Sequence, residues 1–157
     1  MSTFGTSLLT IAERWRGEYP ATQSPFPSSP DYILRRLEFL EVEFSIVIPD
    51  DYRTFLLATA ALVTNPVDAE FSFFKVDELK IRSRSSESPF KYLTFADWSL
   101  AAVYFTMAFR GSEMIGVVRF DPEHLMCRSF SDFIIGMADP EVADRIASFQ
   151  DIPLIGE

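Results

Sequence analysis

The strongest constraint on how this chain can fold lies between Ala101 and Phe120, where apolar residues alternate instead of recurring at helical spacing. Ala101, Val103, Phe105, Met107 and Phe109 fall on one side of an extended strand, and Ala102, Tyr104, Thr106 and Ala108 fall on the other. Arg110–Glu113 includes Gly111 and can turn the chain, and Met114–Phe120 then returns. The segment therefore predicts an antiparallel hairpin. Both sides of its first arm are largely apolar, which suits a central strand covered by helices on one face. Glu70–Val76 and Tyr92–Ala96 read as earlier strands, with a short helix or turn at Val76–Ile81 and a polar loop at Arg82–Pro89.

Helical spacing surrounds this sheet on both sides. Thr6 or Ser7 can cap a short helix carrying Leu8, Ile11, Ala12 and Trp15, which Gly17 ends. Glu18–Ser29, with Pro20, Pro25 and Pro27, reads as a linker. Ser29-Pro30 opens a helix to about Glu43 that buries Ile33, Leu37 and Leu40. After Ile46–Pro49, Asp50 and Asp51 favour the positive end of a third helix, whose inner face is Tyr52, Phe55, Leu56 and Thr59 or Ala60. Asn65-Pro66 marks a break. Asp121–Glu123 forms another turn, and Ser129 with Asp132 makes a capping box for a helix burying Phe130, Phe133, Ile134 and Met137. Asp139-Pro140 starts a last helix with Val142, Ile146 and Phe149. Helices, then antiparallel strands, then helices predict an α+β fold: a twisted antiparallel sheet packed by N- and C-terminal helices. Residues 1–30 form an N-terminal helix and linker, and 31–157 a single domain.

Composition narrows the function classes. The 157 residues are 48% apolar and 15% aromatic, enough to fill one core. The longest apolar run, Leu100–Phe109, is too short to span a bilayer. Without a basic leader, and with one cysteine, Cys127, the chain is expected in the cytoplasm, with Cys127 as a half-buried filler. A net charge of −9 argues against nucleic acid, which is held by an excess of Lys and Arg. Glu41–Lys80 has eight acids against three bases and Gly111–Glu157 nine against three, whereas Ile81–Arg110 has four bases and two acids. Two acidic stretches around a mildly basic one can steer a basic partner, or can simply keep a surface solvated.

No catalytic set is visible. His124, read as a turn residue, is the single histidine, so no histidine dyad or multi-histidine metal site exists within one chain. The glycines form no phosphate loop, and Ser129 lacks a nucleophile-elbow frame. Asp50-Asp51 and Asp77-Glu78 are adjacent pairs that do not converge on one point of a helix. No cofactor or metal is expected.

Two segments, in order, resemble the SUKH superfamily, which includes a fungal regulator of cell-wall synthesis and many bacterial immunity proteins. Ile48-Pro49-Asp50-Asp51-Tyr52-Arg53-Thr54-Phe55-Leu56-Leu57 resembles its L-P-x-x-Y-R-x-F-L helix start, preceded by the acidic, apolar Leu40-Glu41-Val42. Tyr92-Leu93-Thr94-Phe95-Ala96-Asp97-Trp98 resembles its apolar-Phe-Ala-Asp strand end, and Ser129-Phe130-Ser131-Asp132-Phe133-Ile134 its closing S-F-x-x-F-L helix. Where the family often has Asn-Gly-Gly after the first motif, this chain has Thr59-Ala60-Ala61. The match covers roughly Asp31–Met137. It implies a helix-packed antiparallel sheet and a protein-binding activity, with bacterial members neutralising toxins that are often nucleases. An acidic antidote facing a basic toxin domain is electrostatically sensible.

The expected partner surface is Asp97, Trp98 and Tyr104, at the end of one strand and on the non-core side of the next, with Asp50, Asp51, Asp68 and Glu70 as a second set. The competing assignment for Trp98 and Tyr104 is packing within the sheet. Other functions open to this sequence are a regulatory or scaffold protein of the same fold, and a hydrolase with dispersed carboxylates.

Overall fold

Helix starts in this protein are set by side chains that accept the free N–H groups of the first turn. The computed structural model describes residues 4–7, 10, 29–59, 71–83, 87–98, 103–120, 123–147 and 154–156. Ser29 caps α1 (Pro30–Phe44) by accepting from the Tyr32 N–H, and the helix ends at Ser45 in the left-handed conformation (φ 54°). Pro49 precedes α2 (Asp50–Thr59). Ser129 caps α3 (Phe130–Ala138) by accepting from the Asp132 N–H at 3.1 Å, and α4 (Pro140–Ala147) follows Asp139 directly. The chain near its N-terminus is already helical at residues 4–7, so Thr6 and Ser7 lie inside that helix and do not cap it. Phe4 packs on the domain core and Ser7 is buried. Leu8, Ile11, Trp15 and the proline-rich stretch lie outside the described residues.

The sheet comprises β1 (Phe71–Phe73), β2 (Lys80–Arg82), β3 (Phe90–Trp98), β4 (Val103–Arg110), β5 (Glu113–Phe120) and β6 (His124–Cys127). Its order is β1-β3-β4-β5-β6, with β2 also pairing β3, and every pairing is antiparallel. Phe73 stands opposite Ala96 and Lys80 opposite Thr94. β1 and β2 are thus one edge strand interrupted by Phe74–Leu79. That excursion contains a 3-10 turn at Val76–Glu78 and buries Val76 and Leu79. Gly111 (φ 61°) takes the first position of the two-residue β4–β5 turn, as a type II′ hairpin requires. Beyond β6, Ile155 bridges Cys127 in parallel and donates its N–H to the Met126 carbonyl.

These pairings confirm the α+β architecture and, over its described residues 103–120, the hairpin, and they correct several local assignments: the first strand ends at Phe73, short of Val76, and Arg82 belongs to β2 instead of the polar loop. Val76–Ile81 is neither all helix nor all turn, since Lys80 and Ile81 begin β2. His124 is not a turn residue but the first residue of β6, opposite Arg119. Strands of three and four residues are too short to display an alternation. The helices α1–α4 lie on one face of the sheet. There Tyr52 and Phe55 of α2 meet Phe73 and Phe95, while Phe130 and Phe133 of α3 meet Phe95 at 5.5 and 5.3 Å between ring centres. Cys127 is fully buried, not half-buried; burial pushes its thiol up to about 12, leaving it protonated and unreactive. Among the described residues no helix is long and apolar enough to cross a membrane.

Candidate functional site

A β-bulge decides which side chains reach the second face of the sheet. Along β3, Tyr92 and Thr94 point away from the helices while Leu93 and Phe95 point toward them. The register slips between Thr94 and Ala96. Phe95 and Ala96 therefore both enter the core, and Asp97 emerges on the side of Tyr92 and Thr94 despite its opposite parity. Asp97 lands opposite Tyr104.

On that face lies a cavity of about 430 Å³. Three cross-strand rows form it. Arg82 stands opposite Tyr92, which stands opposite Ala108; Lys80 opposite Thr94, then Thr106, then Val118; Asp97 opposite Tyr104, then Phe120. The Tyr92 and Phe120 rings meet edge to face at 5.0 Å, although β4 runs between their strands. They close over it and contribute to the burial of Thr106 and Ala108 on the side away from the described helices. Thr106 donates its hydroxyl to the Val118 carbonyl at 3.2 Å, so its polar atom is satisfied there. Phe74, from the edge excursion, adds an apolar wall. Partial burial raises the Asp97 carboxyl above its ordinary value. Lys80 and Arg82 are exposed and make no ion pair with a described residue.

No family model matches the sequence, no curated protein matches it, and no solved structure matches the fold.

The structure thus brings Asp97 and Tyr104 together and places them in a cavity with two cations, not in an acidic patch. Trp98 pairs through its backbone with Phe71 and Val103; its side chain, like Asp68 and Glu70, lies outside the described residues. Asp50 is exposed at the start of α2, on the helix side of the sheet and apart from the cavity. The Asp51 carboxylate is a structural clamp. One oxygen accepts from the Tyr52 N–H at 2.8 Å, and the other accepts from both the N–H and hydroxyl of Ser131 at 2.7 Å each. It ties α2 to the first turn of α3 and is committed within the fold.

A second surface escaped the sequence reading. The buried stripe of α1 is Ile33, Leu37 and Leu40, yet Phe39 and Val42 stand 53% and 76% exposed on the outer side. They are i, i+3 neighbours, flanked by exposed Glu38 and Glu43. Arg36 sits 5.4 Å from the centre of the Phe39 ring. The last turn of α1 holds no basic residue, although the negative end of the helix dipole favours one. Of its acids, Glu41 is compensated: it accepts from Arg53 at 3.2 Å and from the Ile48 N–H at 3.1 Å. Helical arithmetic on α1 was the available signal, because Phe39 and Val42 fall off the Ile33–Leu37–Leu40 stripe.

Proposed function

We propose that this protein is a protein-binding module whose docking surface is the outer face of α1, and that its partner is basic. The observation that carries this reading is the pairing of Phe39 and Val42, apolar and exposed, with Glu43 in the last turn of a helix that has no cation there and with Glu38 one turn earlier. Acids there are unfavourable in the free protein and become favourable when a partner supplies Lys or Arg. An exposed aromatic ring beside an aliphatic side chain provides the desolvated centre of an interface, and Glu38 and Glu43 add acids to its rim, where Arg36 over the Phe39 ring is already paired with Asp77 at 3.7 Å. The SUKH-like motifs around Pro49–Leu57, Tyr92–Trp98 and Ser129–Ile134 support the immunity-type form of this activity, in which the partner is a toxin domain such as a basic nuclease, met in the cytoplasm.

The test is purification of the tagged full chain from its native cell, beside Phe39→Ser/Val42→Ser and Lys80→Gln/Arg82→Gln variants. One stoichiometric basic protein is expected with the wild type and the second variant, reduced at least tenfold with the first and released by added salt. Expressed alone, that partner should arrest growth, and co-expression of this protein should relieve the arrest. Retention by the first variant would overturn the α1 surface; a harmless partner would favour a regulatory or scaffold role over immunity.

A further inference from the structure

The cavity on the opposite side of the sheet has the wrong sign for the same partner. Lys80 and Arg82 are two residues apart on β2 and stand opposite Thr94 and Tyr92, so both cations flank one edge of the cavity. Asp97 and Tyr104 lie in the neighbouring row, at the other end of β3's exposed side. Between these polar groups the floor is Thr94 and Thr106, and the walls are aromatic, from Tyr92, Tyr104 and Phe120. A volume of about 430 Å³ falls within the range of about 300–1,000 Å³ typical of small-molecule sites, which are mainly apolar with a few placed polar groups.

Each part selects a feature of the occupant. Two cations with no ion-pair partner among the described residues attract an anionic group, and an arginine beside a lysine suits a carboxylate or phosphate. Aromatic walls favour a flat ring, by stacking or edge contacts. The Asp97 carboxylate, with no donor among the described residues, can accept from an N–H of the occupant. We propose that this cavity binds a small aromatic anion: a planar ring with an N–H donor facing Asp97 and a single carboxylate or phosphate group held by Lys80 and Arg82. The site lies on a different face from α1, so it stands or falls independently of the docking surface.

The simpler function for Lys80 and Arg82 is to blunt a sheet edge against aggregation, and the experiment separates the two. Isothermal titration of the full chain at low salt uses indole-3-acetate as the carboxylate probe, guanosine 5′-monophosphate as the phosphate probe, and neutral indole-3-acetamide. At least one anion is expected to bind, with the amide at least tenfold weaker. Lys80→Gln/Arg82→Gln, checked for an unchanged circular dichroism spectrum, should lose at least tenfold in affinity for that anion. Which anion binds tells whether the natural occupant carries a carboxylate or a phosphate. Binding of neither anion, equal binding of the amide, or wild-type affinity in the double variant would each overturn the proposal. Aggregation of the double variant combined with wild-type affinity would leave the edge-guarding function.

Discussion

The two faces of β3 and β4 are made from alternate residues of the same strands, yet they serve different ends. On the helix side, Leu93, Phe95, Phe105 and Met107 are fully buried, and Phe95 alone meets the rings of Tyr52, Phe73, Phe130 and Phe133. On the other side, Tyr92, Asp97 and Tyr104 are only half-buried and surround a cavity. The first face holds stability in close-packed rings that have nowhere to move. The second keeps polar groups beside aromatic rings with space between them. One strand can do both because its side chains alternate, and because a single bulge re-aims Asp97.

The sharpest way to break this comparison is to truncate one aromatic on each face. Phe95→Ala should cost ~3–5 kcal/mol by leaving a cavity among rings, whereas Tyr104→Ala should cost less than about half of that. Chemical denaturation of the two variants measures both, and equal losses would show that the second face is also core. Next in size, Asp51→Ala should destabilise by about 2–3 kcal/mol. It removes an acceptor for the Tyr52 N–H and the two Ser131 donors, with a charged group involved. Hydrogen exchange should then show α3's first turn opening earlier than the sheet.

A smaller change tests whether the helix side is purely a matter of packing. The Tyr52 hydroxyl is fully buried and finds no hydrogen-bond partner among the described residues, and its burial raises the phenol's pKa. Tyr52→Phe removes that unsatisfied group while keeping the ring's edge-to-face contact with Phe130 at 4.9 Å. The melting temperature should stay level or rise. A drop would show that the hydroxyl is satisfied.

The smallest expected effect sharpens the picture of the open face. Because the Asp97 carboxyl is raised in the folded protein, the unfolded chain ionises first as pH climbs from its ordinary value of 3.8. Stability therefore falls as pH rises through the interval up to the folded-state value, and stays lower above it. Asp97→Asn cannot ionise, so its melting temperature should match the wild type near about pH 3 and exceed it slightly near about pH 7. The opposite sign would show that Lys80 and Arg82 stabilise the carboxylate more than burial penalises it.

Much of this architecture can be read from local sequence. Ser29-Pro30 and Ser129 announce helix starts because a capping hydroxyl acts within three residues, and the stripes Ile33–Leu37–Leu40 and Phe130–Phe133–Ile134–Met137 follow from helical geometry alone. The hairpin around Gly111 is equally local. Less was legible where a strand is short or a register shifts. Lys80-Ile81-Arg82 is extended because β3 offers it partners, and nothing in three residues announces that. His124–Cys127 depends on β5 in the same way.

The candidate sites divide along the same line. Asp97 and Tyr104 were identifiable as polar or aromatic residues on strands outside the core stripe, but their meeting depends on the Phe95 bulge, a property of the β3–β4 pairing. Lys80 and Arg82 join them only through the edge strand's return after Phe74–Leu79. Asp51 reads in the sequence as a helix-start charge and a candidate partner residue, and it is a clamp because α3, eighty residues later in the chain, brings Ser131 against it. Helix caps, stripes and the hairpin are short-range effects, settled by a few neighbouring residues wherever the chain goes. Register, cavity and clamp require segments distant in sequence to pack, so they exist only once the sheet and its helices have assembled.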